Sequence, residues 1–248
     1  MPFLTAGDPD LAATARFAHT LAEYGAHLLE IGFPYSDPIA DGPVIQASYT
    51  RALERGVRVE DIFAAVRTFA VKETPLVAMV SYSLIHRRGP QAFLEQAASA
   101  GFSGAIVPDL PFEESESLSC LAAARDFKLI HLVTPTTPRD RARAIAGRST
   151  GFLYCVSVVG ITGERERVPA ELLDQLAWLR QQTEVPLCVG FGISKPEHVR
   201  TLREVADGVI VASAFVRHLE KAGSQSLDAI GTAIGDLARS LADALNPM

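Results

Sequence analysis

Residues 29–43 read LEIGFPYSDPIADGP. The apolar run His27-Leu28-Leu29 leads into this stretch and predicts a buried strand over His27 to Ile31. Glu30 stands where that strand should end, and Gly32 breaks the period just after it. A carboxylate at the edge of a buried strand costs free energy unless it is paired, hydrogen-bonded or used. Pro34, Pro38 and Pro43 stiffen the following loop, because each fixes its own φ and restricts the residue before it. Glu30, Asp37 and Asp41 fall within twelve residues of this strand-to-loop unit. A stiff loop carrying acids at the end of a buried strand is how a scaffold presents general acids and bases. The competing reading is turn capping, since Asp37 and Asp41 each precede a Pro or lie before a Gly.

The same unit repeats along the chain. Short apolar runs at Phe3–Thr5, Leu76–Val80, Ala105–Val107, Lys128–Val133, Gly151–Val156, Pro186–Gly190 and Gly208–Val211 predict seven further strands. Helical periods alternate with them, over Asp10–Tyr24, Val44–Glu54, Val59–Val71, Gln91–Ala100, Glu113–Asp126, Arg139–Ile145, Pro169–Gln181, Pro196–Val205 and Leu227–Leu245. Continuous rather than alternating apolar strands read as buried on both faces, which implies a parallel sheet. Eight such units in 248 residues fit a single-domain (β/α)₈ TIM barrel. An open doubly wound sheet is the runner-up, weakened because no strand leads into a GxGxxG turn.

Composition narrows the function. The chain is 48% hydrophobic and 21% charged with a net charge of −6, and its acids and bases are mixed. No basic stripe or polybasic run points to nucleic acid or a membrane surface. No apolar run reaches the ~18 residues needed to cross a bilayer, and no signal-peptide pattern opens the chain, so a cytoplasmic protein is expected. Cys120, Cys155 and Cys188 lack CxxC spacing and read as small buried residues in a reducing compartment. The histidines are scattered without ligand spacing, so no metal is expected, and His131, inside an apolar run, reads as a satisfied core histidine.

In a barrel the active site lies at the C-terminal strand ends. Thr5, Glu30, Asp109, Thr134, Ser157, Gly190, Gly192 and Ser213 all fall there. The last two loops, GFGIS (Gly190–Ser194) and ASAF (Ala212–Phe215), combine close backbone approach with helix starts, a pattern suited to phosphate but also to simple turning. VVGITGERERVP after the sixth strand is long enough for a lid, although its charges suit a solvated loop equally.

PFLTAGDP, LEIGFPYSDPIADGPVIQ, VPDLPFEES, GITGERE and GFGIS, in this order and spacing, resemble the tryptophan synthase alpha subunit family across nearly the whole chain. The resemblance implies a (β/α)₈ barrel that cleaves indole-3-glycerol phosphate to indole and glyceraldehyde 3-phosphate, a retro-aldol step in tryptophan biosynthesis that uses no metal or organic cofactor. Glu30 matches the family's catalytic glutamate and Asp41 its catalytic aspartate. Phe3 and Tyr154 match substrate-pocket residues, Gly163, Gly192, Ala212 and Ser213 the phosphate site, and Thr162 the lid threonine that bonds the aspartate. The family's partner is a pyridoxal-phosphate β subunit, giving an α₂β₂ heterotetramer through the loops after strands two and six.

Four departures accompany the match. The family carries an upstream segment whose helix closes the barrel's bottom, whereas this sequence starts at the first strand, so truncation is expected. Ala212 stands where the family usually has a glycine, Ser81 and Ser83 replace Tyr and Asn, and a more usual polar residue is replaced at Val158 or Val159. These leave two alternatives open: a standalone indole-3-glycerol phosphate lyase, or a catalytically weak paralogue that acts as a binding partner.

Overall fold

The computed structural model describes residues 1–39, 41–69, 71, 73–157, 169–190 and 192–246. Its centre is a parallel sheet of eight strands in sequential order: β1 (Phe3–Thr5), β2 (Leu29–Gly32), β3 (Leu76–Met79), β4 (Phe102–Ile106), β5 (Lys128–Val133), β6 (Leu153–Val156), β7 (Leu187–Gly190) and β8 (Gly208–Val209). The sheet curls until its ends meet. Phe3 N–H donates to the Val211 carbonyl at 2.9 Å, and Val211 N–H donates to the Met1 carbonyl at 3.0 Å. The barrel is thus closed by backbone hydrogen bonds.

Both faces of the strands are covered, which is why their sequences are apolar throughout. Phe3, Val77, Met79, Ile106, Ile130 and Tyr154 point inward and pack together. Leu4, Ile31, Ala78, Leu129, Leu153 and Val189 point outward under the helices. This two-layer alternation decides where each strand residue acts.

The helices are α1 (Leu11–Glu23), α2 (Pro43–Glu54), α3 (Val59–Val66), α4 (Tyr82–Arg88), α5 (Pro90–Ala100), α6 (Glu116–Ala123), α7 (Arg139–Arg148), α8 (Ala170–Arg180), α9 (Pro196–Leu202), α10 (Ser213–Leu219) and α11 (Leu227–Leu245). Local chemistry sets their starts. Asp10 caps α1 by accepting Ala13 N–H at 2.7 Å, and Ser226 caps α11 by accepting Ala229 N–H at 3.2 Å. Pro43 opens α2, where its missing N–H costs nothing. An Arg16–Asp228 ion pair ties α1 to α11.

Several boundaries differ from the sequence expectation. β2 runs on through Gly32, so Glu30 lies inside the strand rather than at its end, in register with Phe3 and Val77. β4 begins earlier, at Phe102. Gly104 permits its close approach to β5, because a Cβ there would stand 2.6 Å from the Lys128 carbonyl oxygen. α4 was not expected. It forms because Ser81 accepts Ser83 N–H at 3.2 Å and Asp109 accepts Tyr82 N–H at 2.7 Å. The expected helix over Glu113–Asp126 divides into a 3₁₀ turn, Phe112–Glu114, and α6.

Candidate active site

Glu30 points into the barrel from the middle of β2 and is 2% exposed. Burial, then the nearby charge of Asp41, pushes its carboxyl up to about 8. Asp41 stands at the end of the loop that β2 feeds, two residues before α2. Its backbone is clamped on both sides: its N–H donates to the Pro38 carbonyl at 3.1 Å, and its own carbonyl accepts from Gln46 Nε2 at 2.7 Å. Burial pushes the Asp41 carboxyl up to about 6. Asp37 is exposed, and its carbonyl accepts Ile39 N–H at 2.9 Å, so turn formation accounts for it. Near neutrality the site therefore holds one protonated and one ionised carboxyl within electrostatic reach of each other.

Two aromatic residues shape the space above Glu30. Phe3 lies over Gly32, where a Cβ would meet the ring at 2.4 Å. Tyr154 lies over Gly190, where a Cβ would meet the hydroxyl at 2.1 Å. Each glycine leaves room for an aromatic side chain in the barrel interior. Phe3 and Tyr154 are both buried, and both belong to the inward cluster.

Gly192 takes a left-handed φ of +77°, which favours glycine there. Ala212 and Ser213 open α10, and the Ala212 carbonyl accepts Phe215 N–H at 3.0 Å and Val216 N–H at 3.1 Å. The amide groups of Ser213 and Ala214 thus fall in the first turn, where no intrahelical acceptor exists. Thr162, Gly163, Val158 and Val159 lie outside the described residues.

Other sequence-marked positions resolve differently. Thr134 belongs to a local turn, where its N–H donates to Thr137 Oγ1 at 2.9 Å and its carbonyl accepts Gln175 Nε2 at 2.8 Å. Thr5 and Ser48 share a 2.6 Å hydroxyl contact. His131 is buried but not satisfied, contrary to expectation: its ring meets Phe112 edge-on and its Nε2 has no partner among the described residues. Burial, then Arg148, pushes it down to about 4, so it is neutral. Cys155 and Cys188 are buried as expected, whereas Cys120 is exposed because it sits on the outer side of α6. Among the described residues no cluster of His, Cys, Asp or Glu could hold a metal ion, and no helix is long and apolar enough to cross a membrane.

The sequence reading noted Ser81 and Ser83 only as departures from a pattern. Ser81 Oγ donates to Asp109 Oδ2 at 2.6 Å and lies 2.7 Å from Ser83 Oγ, so the two serines and Asp109 brace the ends of β3 and β4. Tyr35 and Tyr49 were passed over. Their rings lie 5.7 Å apart at the mouth beside Asp41. Their signal was the tyrosine hydroxyl in positions that otherwise read as loop and core.

The family model for the tryptophan synthase alpha chain matches residues 1–244. The chain belongs to the tryptophan synthase alpha chain family. A curated alpha chain from Rhodopirellula baltica is 51% identical, with 99% of this chain and 92% of that protein covered. One from Cyanothece sp. is 47% identical, covering 100% and 92%. Among solved structures, one from Pyrococcus furiosus, described as the basis of mutual activation of the tryptophan synthase α₂β₂ complex, has a TM-score of 0.88 at 38% identity, with 97% of this chain and 96% of that chain covered. A tryptophan synthase subunit alpha from Legionella pneumophila has a TM-score of 0.87 at 35% identity, covering 100% and 92%. The barrel expected from strand count and the family expected from the quoted motifs are the ones found; the open doubly wound sheet is not.

Proposed function

We propose that this chain, working as one barrel domain, cleaves indole-3-glycerol phosphate to indole and glyceraldehyde 3-phosphate. The observation that carries this reading is the buried carboxyl pair, with Glu30 held protonated up to about 8 and Asp41 ionised above about 6. Cleavage needs a proton delivered to C3 of the indole ring, which turns the ring into an electron sink. Glu30 is the acid that delivers it. Positive charge then develops at the ring nitrogen, and the Asp41 carboxylate stabilises it by accepting the N–H. Glu30, now ionised, takes the proton from the hydroxyl on the carbon bonded to C3. That oxygen becomes the aldehyde, the carbon–carbon bond breaks, and its electron pair returns to the ring. The enzyme ends as it began, so the step requires no metal or organic cofactor.

Phe3 and Tyr154 flank the indole. The phosphate lies against Gly163, Gly192, Ala212 and Ser213, where no Lys or Arg is present in the GFGIS or ASAF turns. Backbone N–H groups and the helix end do the binding. Thr162 bonds Asp41 in the reacting complex. The partner is a pyridoxal-phosphate β subunit, seated on the loops after β2 and β6, and the compartment is the cytoplasm. Ile39, 85% exposed on the first of those loops, supports this placement.

The deciding assay is indole release from indole-3-glycerol phosphate, run with and without a β subunit. Wild type is expected to release indole, faster with the β subunit, and Glu30→Gln to lose at least ~10²-fold in kcat with its fold retained. A Glu30→Gln variant that keeps a tenth of wild-type turnover would remove Glu30 from the acid–base role.

A further inference from the structure

Tyr49 sits on α2 at a position that the helical period assigns to the core, and it is 1% exposed. Its ring needs no explanation beyond packing on Tyr35 and beside Ile45. Its hydroxyl does. A Cβ built on Gly32 would stand 2.9 Å from that oxygen, so the hydroxyl occupies the space that glycine leaves. Glu30 and Gly32 face the same side of β2, and successive inward positions are about 6.6 Å apart. The Tyr49 oxygen therefore lies one inward position above Glu30, towards the mouth where Asp41 stands.

Neighbouring hydroxyls are already engaged. Thr5 Oγ1 meets Ser48 Oγ at 2.6 Å, and Ser48 Oγ donates to the Ile45 carbonyl at 2.7 Å. The Tyr49 hydroxyl has no hydrogen-bond partner among the described residues. It faces the barrel interior, among the inward cluster that holds Phe3, Tyr35 and Tyr154. Burial, then the charges of Asp41, Tyr35 and Glu30, hold the phenol well above its ordinary value. It stays a neutral donor over the whole range in which the carboxyls titrate.

We propose that Tyr49 is a third catalytic group, donating a hydrogen bond to the substrate oxygen that becomes the aldehyde. This rests on the cleavage reaction proposed above. It is the same oxygen that Glu30 deprotonates, so charge gathers there as the proton leaves. A fixed neutral donor at such a point acts on the transition state more than on bound substrate. Tyr49 transfers no proton; its O–H stays intact through the step.

Tyr49→Phe keeps the ring and removes only the donor. Thermal unfolding of the variant is expected to match wild type, because the lost hydroxyl has no hydrogen-bond partner among the described residues. With indole-3-glycerol phosphate, kcat is expected to fall at least tenfold, against the ~10²–10³ typical of a fully engaged oxyanion donor. KM should stay within about threefold, and the limbs of the pH profile should not move, since the phenol does not titrate there. An analogue with hydrogen in place of that one hydroxyl should bind both proteins equally. Turnover of Tyr49→Phe within twofold of wild type overturns the proposal, as does a displaced pH limb, which would place the hydroxyl on a carboxylate instead. Tenfold weaker binding of the analogue also overturns it, since the residue would then shape the ring pocket. Wild-type turnover in the same assay separates this outcome from failure of the cleavage reading itself.

Discussion

Glu30 is protonated at neutral pH only because it is buried inside β2 beside Asp41, and the same burial links catalysis to stability. Its folded value, about 8, lies above the ordinary 4.5. Between these values the folded protein keeps a proton that the unfolded chain has lost. The contribution is therefore fully present below about 4.5 and lost as pH rises through about 8. Each pK unit corresponds to ~1.4 kcal/mol, so the loss amounts to several kcal/mol. Glu30→Gln has no proton to lose. Its melting temperature relative to wild type is expected to rise by at least ~5 °C between pH 5 and pH 9, measured by thermal unfolding in matched buffers. A difference that stays flat with pH would mean that Glu30 is not held protonated by the fold. The same two carboxyls shape the rate. The proposed reaction needs Asp41 ionised, hence pH above about 6, and Glu30 protonated, hence pH below about 8. A bell-shaped kcat/KM with those limbs is expected in steady-state assays, and Asp41→Asn should lose the acid limb together with most of the activity.

At the scale of the element, α10 separates two effects of negative charge. Ser213→Asp places a carboxylate in the first turn of the helix, where the dipole stabilises it by ~0.3–1 kcal/mol. The same carboxylate repels a phosphate seated on that turn. Ser213→Asp is therefore expected to unfold no earlier than wild type while its KM rises about tenfold or more; an unchanged KM would put the phosphate elsewhere. Ala212 contributes backbone rather than its methyl, since its carbonyl takes both Phe215 and Val216 N–H groups. Ala212→Gly should leave KM equal or lower. These elements also show how far the sequence could be read. Glu30 stood out because a carboxylate in an apolar strand is an anomaly in one dimension, whereas Asp41, in an Asp-Gly that reads equally well as a turn, was marked only by the family resemblance. The continuation of β2 through Gly32 was not, because glycine reads as a strand breaker until Phe3 is seen filling its place. α4 was hidden because its start depends on Asp109, twenty-eight residues beyond Ser81 and joined to it only through the folded barrel. Tyr49 was hidden for the opposite reason: it satisfies the helical period so well that its hydroxyl carries no signal until the space around it is known.

Across the whole molecule, the ring of strands is least well joined where its two ends meet. β2 and β3 share four register positions, as do β6 and β7. β8 contributes two residues and pairs with β7 at two positions; its join to the start of the chain is one bridge between Pro2 and Val211, flanked by the Met1 amine, which donates to the Val209 carbonyl at 2.9 Å. Pro2 has no N–H to add to this seam. The inward and outward packing is continuous across it, with Phe3 and Ile210 inside and Leu4, Val209 and Val211 outside, so the seam is held by side chains more than by its ladder. Local opening is easiest where few backbone bonds must break, and it need not involve the rest of the core. The amides of Phe3 and Val211, both hydrogen-bonded across the seam, are therefore expected to exchange at least tenfold faster than those of Leu29 and Leu153, which donate to the Pro75 and Pro186 carbonyls at 2.9 and 2.8 Å within the wider ladders. Native-state hydrogen exchange resolved by residue measures this directly. A transition-state or product analogue that bridges Phe3, Glu30 and the phosphate turn of α10 touches both sides of the seam, so it should slow exchange at Phe3 and Val211 more than at Leu153. Equal protection around the ring, with or without that ligand, would show that the barrel opens only as a unit and that its closure is as strong as any other join.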